Sequence, residues 1–229
     1  MDAPKLSLTH VVAQPRQPGP KPPLLLLLHG VGANEQDLIG LAPYADPRFL
    51  VISARAPRRY SYGGFAWFDL NWHSGGFSMD PEQVREAWEQ VQRFVGEAVA
   101  AYGADPERVY LAGFSQGAIV SLGATLTKPE LVAGLVVMSG RWMPELGPQA
   151  DAAAIAGLPV IAVHGLRDQV IPVQFGRAIR DFLATQPVKL EYREYPMAHE
   201  VSLESLGDIS SWLTARLDQP RRLAASSAD

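Results

Sequence analysis

The chain contains no cysteine. Disulfides, thiolate zinc sites and cysteine nucleophiles are therefore excluded together. It also has no basic excess, because 20 Lys and Arg stand against 24 Asp and Glu, a net charge of −4. No basic stripe offers itself to nucleic acid or to an anionic membrane. Apolar runs are short: Leu24–Leu28 falls far below the roughly 20 residues that cross a bilayer. It follows "PGPKPP" rather than a basic segment, and no small-residue cleavage site comes after it, so it reads as a buried strand and not as a signal. The five histidines show no HExxH spacing, so neither a metal nor any other cofactor is expected. Without cysteine or an anchoring segment, the expected compartment is cytoplasmic. A homodimer stays open.

What the chain does have is material for a core. Of its 229 residues, 47% are apolar and 19% charged, a globular composition. Residues 1–21 form a polar, proline-rich segment with an expected edge strand near Leu6–Val12, and 218–229 form a frayed tail. Between them, "LLLLL" (24–28), "FLVIS" (49–53), "RVYLAG" (108–113), "LVAGLVVMS" (131–139), "LPVIAVHG" (158–165) and "KLEYREY" (189–195) read as strands. All but the last are almost wholly apolar, as strands buried on both faces of a parallel sheet should be. Helical spacing recurs over 81–102, 173–184 and 203–217, and 116–127, apolar on nearly all sides, suits a buried helix. Asp80 and Gln83 suit a capping box, Pro81 the first helical turn, and Ser202 the cap of the last helix. Strand–helix alternation over 22–217, with no internal repeat, gives one α/β domain with a mostly parallel sheet flanked by helices.

One pentapeptide carries chemistry. Gly113-Phe114-Ser115-Gln116-Gly117 follows a strand and opens a helix, the setting of a nucleophile elbow. The bland alternative is a glycine-rich turn. A serine nucleophile needs a base, a carboxylate to orient that base, and donors for the oxyanion. Of the two histidines after Ser115, His164 ends a strand and suits a structural role. His199, in "YPMAHEVS", lies in a loop free to reach over the sheet's carboxyl edge, and is the expected base. Asp168, just past the strand 158–164, is the expected acid, since catalytic groups gather at that edge of open parallel sheets. Asp181, Glu191 and Glu194 fall inside elements, Glu145 and Asp151 in a long loop, and Glu200 adjoins the histidine itself. The oxyanion donors are expected from the backbone of Gln116, at a helix start, and of Val31 in "LHGVGANEQDL" (28–38).

Together with "FAWFDL", "SGRWMP", "HGLRDQVIPVQFG" and "MAHEVSLESLGDISSWL", these segments make the chain resemble the phospholipase/carboxylesterase family of α/β-hydrolases. That family includes bacterial carboxylesterases, acyl-protein thioesterases and lysophospholipases. The resemblance implies the α/β-hydrolase fold, a Ser115–Asp168–His199 triad and an oxyanion hole at Val31 and Gln116. Ala118 departs from it, many members having glycine there. The resemblance also marks the loop 63–77 as part of the acyl site. Its Phe65, Trp67, Phe68, Trp72 and Phe77 would give an apolar wall, with Trp67 and Phe68 nearest the substrate, Trp67 as its end wall, and Trp142 and Met143 completing it.

The expectation is thus a serine carboxylesterase acting on a small-molecule ester of short-to-medium acyl length. Its rivals are a lysophospholipase or thioesterase for long chains, a serine peptidase of this fold, and a non-enzymatic binding protein. The peptidase would need a gating insertion that is not seen, and the binding protein would most readily have lost a triad member.

Overall fold

In a computed structural model of the chain, residues 5–73, 76–146 and 151–219 are described. The tail past 219 and the side chains of Trp72 and Phe77 lie outside that description. Seven strands form the main sheet: β1 (His10–Ala13), β2 (Leu24–Leu28), β3 (Leu50–Ala54), β4 (Val109–Phe114), β5 (Gly134–Met138), β6 (Pro159–Gly165) and β7 (Lys189–Tyr195). Their spatial order is β1-β3-β2-β4-β5-β6-β7. Only β1 runs antiparallel, pairing His10 with Ala54 at the edge; the other six are parallel. All six therefore deliver their following loops to one edge of the sheet, where open α/β sheets place their ligands.

Alternation decides the two cores. Leu24, Leu26 and Leu28 face one layer, with Val84, Phe94, Leu122 and Ile179. Leu25 and Leu27 face the other, with Ile209, Trp212 and Leu213. A continuous leucine run can do this because successive strand side chains point to opposite faces. The first layer is covered by α1 (Pro81–Tyr102), α2 (Gln116–Thr127) and α3 (Val173–Ala184), the second by α4 (Leu203–Leu217) and a 3₁₀ turn, Ile39–Tyr44. Every residue of α2 from Gln116 to Leu126 is buried, which explains its lack of a polar face.

Two details differ from expectation. The apolar run 131–139 is not all strand: Leu131 closes the 3₁₀ turn Pro129–Leu131, and the strand begins only at Gly134. The capping box of α1 is half made. Asp80 caps Glu82 N as expected, but Gln83 Oε1 accepts instead from Asp69 N at 2.9 Å, tying the helix to the loop before it. Ser202 Oγ does accept from Ser205 N at the start of α4.

Candidate active site

Ser115 sits between β4 and α2 at φ 54°, ψ −116°. A non-glycine residue seldom adopts this backbone, and only when its surroundings enforce it. Here the flanking glycines do so. A Cβ at Gly113 would collide with the Gly117 carbonyl, and one at Gly117 with the carbonyls of Leu28 and His29. Ser115 N also donates to Met138 O at 2.9 Å. Ala118 is accommodated by a third glycine, since a Cβ at Gly140 would fall 2.8 Å from the Ala118 methyl.

Three strand ends converge on this serine. His199, past β7, accepts at Nε2 from Ser115 Oγ at 2.9 Å and donates from Nδ1 to Asp168 Oδ2 at 2.7 Å. Asp168, past β6, has a fully buried side chain. Its Oδ1 accepts from the N–H groups of Val170 and Ile171 at 2.9 and 2.8 Å. The carboxylate is thus held in one orientation, and its free lone pairs face the imidazole. Glu145 lies instead beside Arg141, Glu194 is paired with Arg177, and Asp151 caps a short helix.

His164 takes the structural role expected of it. It is buried, and its Nε2 donates to Ile171 O at 2.7 Å while standing 3.5 Å from Asp168 Oδ2. Burial depresses its pKa below the usual histidine range, so the ring is neutral beside the carboxylate.

The opposite wall is built from β2 and the loop after it. His29 is fully buried. Its Nε2 accepts from Ala56 N at 3.0 Å and its Nδ1 donates to Gly30 O at 2.7 Å, which fixes a neutral tautomer. Burial lowers its pKa too. Asn34 caps the next short helix, and Glu35 pairs with Arg55 through two bonds, the structural role of a helix's first turn.

Trp67 belongs to this wall rather than to a substrate surface. It is 1% exposed; its indole N–H donates to His29 O at 2.9 Å and its backbone N–H to Gln116 Oε1 at 2.7 Å. Gln116 Nε2 donates in turn to Phe68 O at 2.7 Å. The Gln116 side chain thus stitches the loop 65–68 to the elbow, a role that its expected backbone function hid. No motif announces it; a buried glutamine beside a serine is the only sequence signal.

A small apolar pocket of about 20 Å³ adjoins Ser115, lined by Val31, Phe68, Leu70, Gln116, Ile119, Val170 and Ile171. It brings together Val31, Gln116 and Phe68 of the expected site residues. Trp67 does not line it, because its indole is committed to the wall behind. Trp142 and Met143 do not line it either. They border a second pocket of only about 10 Å³ with Trp88, Ile119, Leu122, Gly123 and Arg141, and Trp142 is stacked on Phe182 with ring centroids 3.7 Å apart. Sequence reading missed Leu70, Ile119, Val170 and Ile171; only the i, i+4 spacing of Ile119 from Ser115 pointed at the site.

Comparison with known proteins points to one family. The profile of the phospholipase/carboxylesterase family matches residues 9–217. The Arabidopsis thaliana protein named "Probable carboxylesterase SOBER1-like" is 31% identical over 84% of this chain and 78% of its own. Acyl-protein thioesterase 1 of Kluyveromyces lactis is 29% identical over 90% of this chain and 96% of its own. Among solved structures, the Bacillus cereus carboxylesterase superposes with a TM-score of 0.78 at 22% identity, covering 92% of this chain and 95% of that one.

Proposed function

The chain belongs to the phospholipase/carboxylesterase family and is a hydrolase of carboxylic ester bonds, and we propose that it cleaves short-to-medium acyl esters through an acyl-Ser115 intermediate. The observation that carries this reading is the relay from Asp168 Oδ2 through His199 to Ser115 Oγ, with bonds of 2.7 and 2.9 Å, opening on an apolar cavity.

In the proposed cycle, Ser115 Oγ attacks the ester carbonyl while His199 Nε2 takes its proton. Asp168 holds the imidazole in the required tautomer and stabilises the imidazolium. The tetrahedral oxyanion is bound by the backbone N–H groups of Gln116 and Val31. The first of these, as the opening residue of α2, has no intrahelical acceptor. On collapse, the alkoxide leaves with the proton from His199. Water then enters, is deprotonated by the same nitrogen and releases the acid. The rigid network of His29, Trp67 and Gln116 supports the hole, since preorganised donors need not reorganise as charge develops.

The same machinery accepts thioesters, and the Kluyveromyces lactis relative's name favours including them. The volume beside Ser115 favours the shorter acyl groups of either class. No helix among the described residues is long and apolar enough to cross a membrane. With the lack of cysteine, this supports a cytoplasmic setting.

The test is covalent labelling. A fluorophosphonate probe should modify Ser115, located by mass spectrometry, and Ser115→Ala should lower turnover by about 10⁴-fold or more in a folded protein. Modification elsewhere with Ser115 untouched would overturn the reading.

A further inference from the structure

The loop that carries Val31 is held between two neighbours. On one side lies the elbow, so close that a Cβ at Gly30 would meet the Ser115 Cβ at 3.2 Å. On the other lies a hairpin of two short strands, Arg58–Arg59 and Phe65–Ala66. Gly32 N donates to Phe65 O at 2.8 Å, and Phe65 N to Ala33 O at 2.9 Å. These bonds lie one and two residues past Val31. Among the described residues, none accepts from the Val31 N–H itself.

We infer that Gly64 is a positioning residue of the oxyanion hole, fixing the Val31 N–H through its contact with Gly32. The inference rests on the esterase reading above. Gly64 has φ 69°, a left-handed backbone that glycine adopts readily. A Cβ there would enter the Gly32 carbonyl and stand 2.9 Å from Ala33 O. Both neighbours are backbone, so neither can rotate aside as the tip of a side chain could. Only a residue without a side chain lets the hairpin close on the loop, and the two bonds to Phe65 need that closeness.

The hairpin is anchored behind this contact. Ala66, Trp67 and Phe68 are buried, and the Gln116 side chain bonds Trp67 N and Phe68 O. The Arg55 guanidinium lies 4.5 Å from the centroid of the Phe65 ring and is paired with Glu35, farther along the Val31 loop. A side chain at position 64 therefore pushes on Gly32, the residue after the donor. A misplacement of about 1 Å can cost about 100-fold in rate. Gly63 supplies the contrast. It too has a positive φ, 105°, yet a Cβ there would meet nothing within 4 Å. Substitution strains the backbone at either glycine, but only Gly64 touches the loop.

The test compares wild type, Gly64→Ala, Gly63→Ala and Tyr60→Ala, with a sample of each labelled to completion by the fluorophosphonate to count active Ser115. Two inhibitors then report on the hole. A trifluoromethyl ketone takes Ser115 Oγ at its carbonyl carbon, the proton passes to His199, and the carbonyl oxygen becomes the oxyanion. The matching methyl ketone binds without that addition. Both glycine variants should lose stability, since alanine is strained at positive φ. In Gly64→Ala, kcat for p-nitrophenyl acetate should fall by about 10- to 100-fold. Its inhibition constant for the trifluoromethyl ketone should rise by a similar factor, and that for the methyl ketone should hold, because only the bonds made to the oxyanion are lost. Gly63→Ala should keep the wild-type ratio of the two constants. Tyr60→Ala removes a ring that borders Gly32 and should shift the ratio in the same direction by less; it decides the matter if Gly64→Ala does not fold. A ratio unchanged in Gly64→Ala, or in Tyr60→Ala where that variant stands in, would overturn the inference and leave the esterase intact. An equal shift in Gly63→Ala and Gly64→Ala would overturn it as well. Failure of Ser115 to label in wild type would instead sink the esterase reading itself.

Discussion

Two hydrogen-bonded networks meet at Ser115, and their bond lengths are nearly the same. One runs Ser115–His199–Asp168, with bonds of 2.9 and 2.7 Å. The other runs from Gln116 through Trp67 to His29, with bonds of 2.7 and 2.9 Å. They differ in what lies at the ends. The first links side chain to side chain, carries a buried carboxylate, and contains groups able to exchange a proton. Every bond of the second that is named above ends on a backbone N–H or C=O, and its titratable member is neutral. Distance alone does not separate a proton relay from a clamp. The partner type does, because a backbone group fixes position but does not titrate in the working range.

The sharpest way to break this comparison is Asp168→Asn. The amide oxygen can still accept from Val170 and Ile171, so the loop should keep its shape. The amide nitrogen, however, cannot accept from His199 Nδ1–H, which forces the wrong tautomer. By analogy with serine-protease triads, kcat should fall by about 10³–10⁴-fold, with little change in KM or in the urea midpoint. Steady-state kinetics beside equilibrium unfolding decides it. A loss below about tenfold, far short of that template, would show that another carboxylate supports the base.

The second network should fail in the opposite way. Trp67→Ala removes a fully buried indole and orphans the His29 carbonyl. It should cost about 3–5 kcal/mol of stability, a fall in Tm of roughly 6–20 °C for a domain of this size. The milder Trp67→Phe keeps most of the packing and loses the N–H, and should cost about 1–3 kcal/mol. Neither should lengthen the preferred acyl chain. A stable Trp67→Ala protein with a longer optimum would return Trp67 to the substrate wall and dissolve the distinction between the networks.

The proposed relay was legible in the sequence for a topological reason. Ser115, Asp168 and His199 each fall just past a strand, and a parallel sheet sends all such positions to one edge. The helices 81–102, 173–184 and 203–217 were legible from their apolar spacing, 116–127 from being apolar on nearly all sides, and β2 from its run of leucines. Trp67 was misread because aromatic size beside a nucleophile suggests a wall. Its place is decided by a bond to His29 O, 38 residues away, which no local pattern encodes. Ile119 was missed for the converse reason. On a helix buried all round, apolarity does not tell a residue facing a cavity from one facing solid core. Gln83 looked like a cap and serves a loop, because the competing donor, Asp69 N, lies 14 residues earlier.

The smallest expected effect concerns pH, and it also separates the two kinds of histidine. His29 and His164 both titrate below the ordinary range, with burial as the leading cause. His29 also feels Glu35 and Asp37, which oppose the shift, and Arg55, which adds to it; His164 feels Asp168 and Glu194 against it, and His199 with it. When the folded pKa lies below the unfolded value of about 6.5, the unfolded chain binds protons first as pH drops. The stabilisation from burying each neutral ring is therefore complete above about pH 6.5. It is lost as pH falls toward the depressed native value. Each histidine should contribute a slope of up to about 1.4 kcal/mol per pH unit in that window. Urea unfolding between pH 5 and 7.5 measures the sum, and His164→Gln should remove one proton's share of it. Glutamine keeps a donor for Ile171 O but cannot titrate. An unchanged slope in that variant would mean that His164 is not proton-coupled to folding, and that the neutral ring beside Asp168 contributes only its hydrogen bond to Ile171 O.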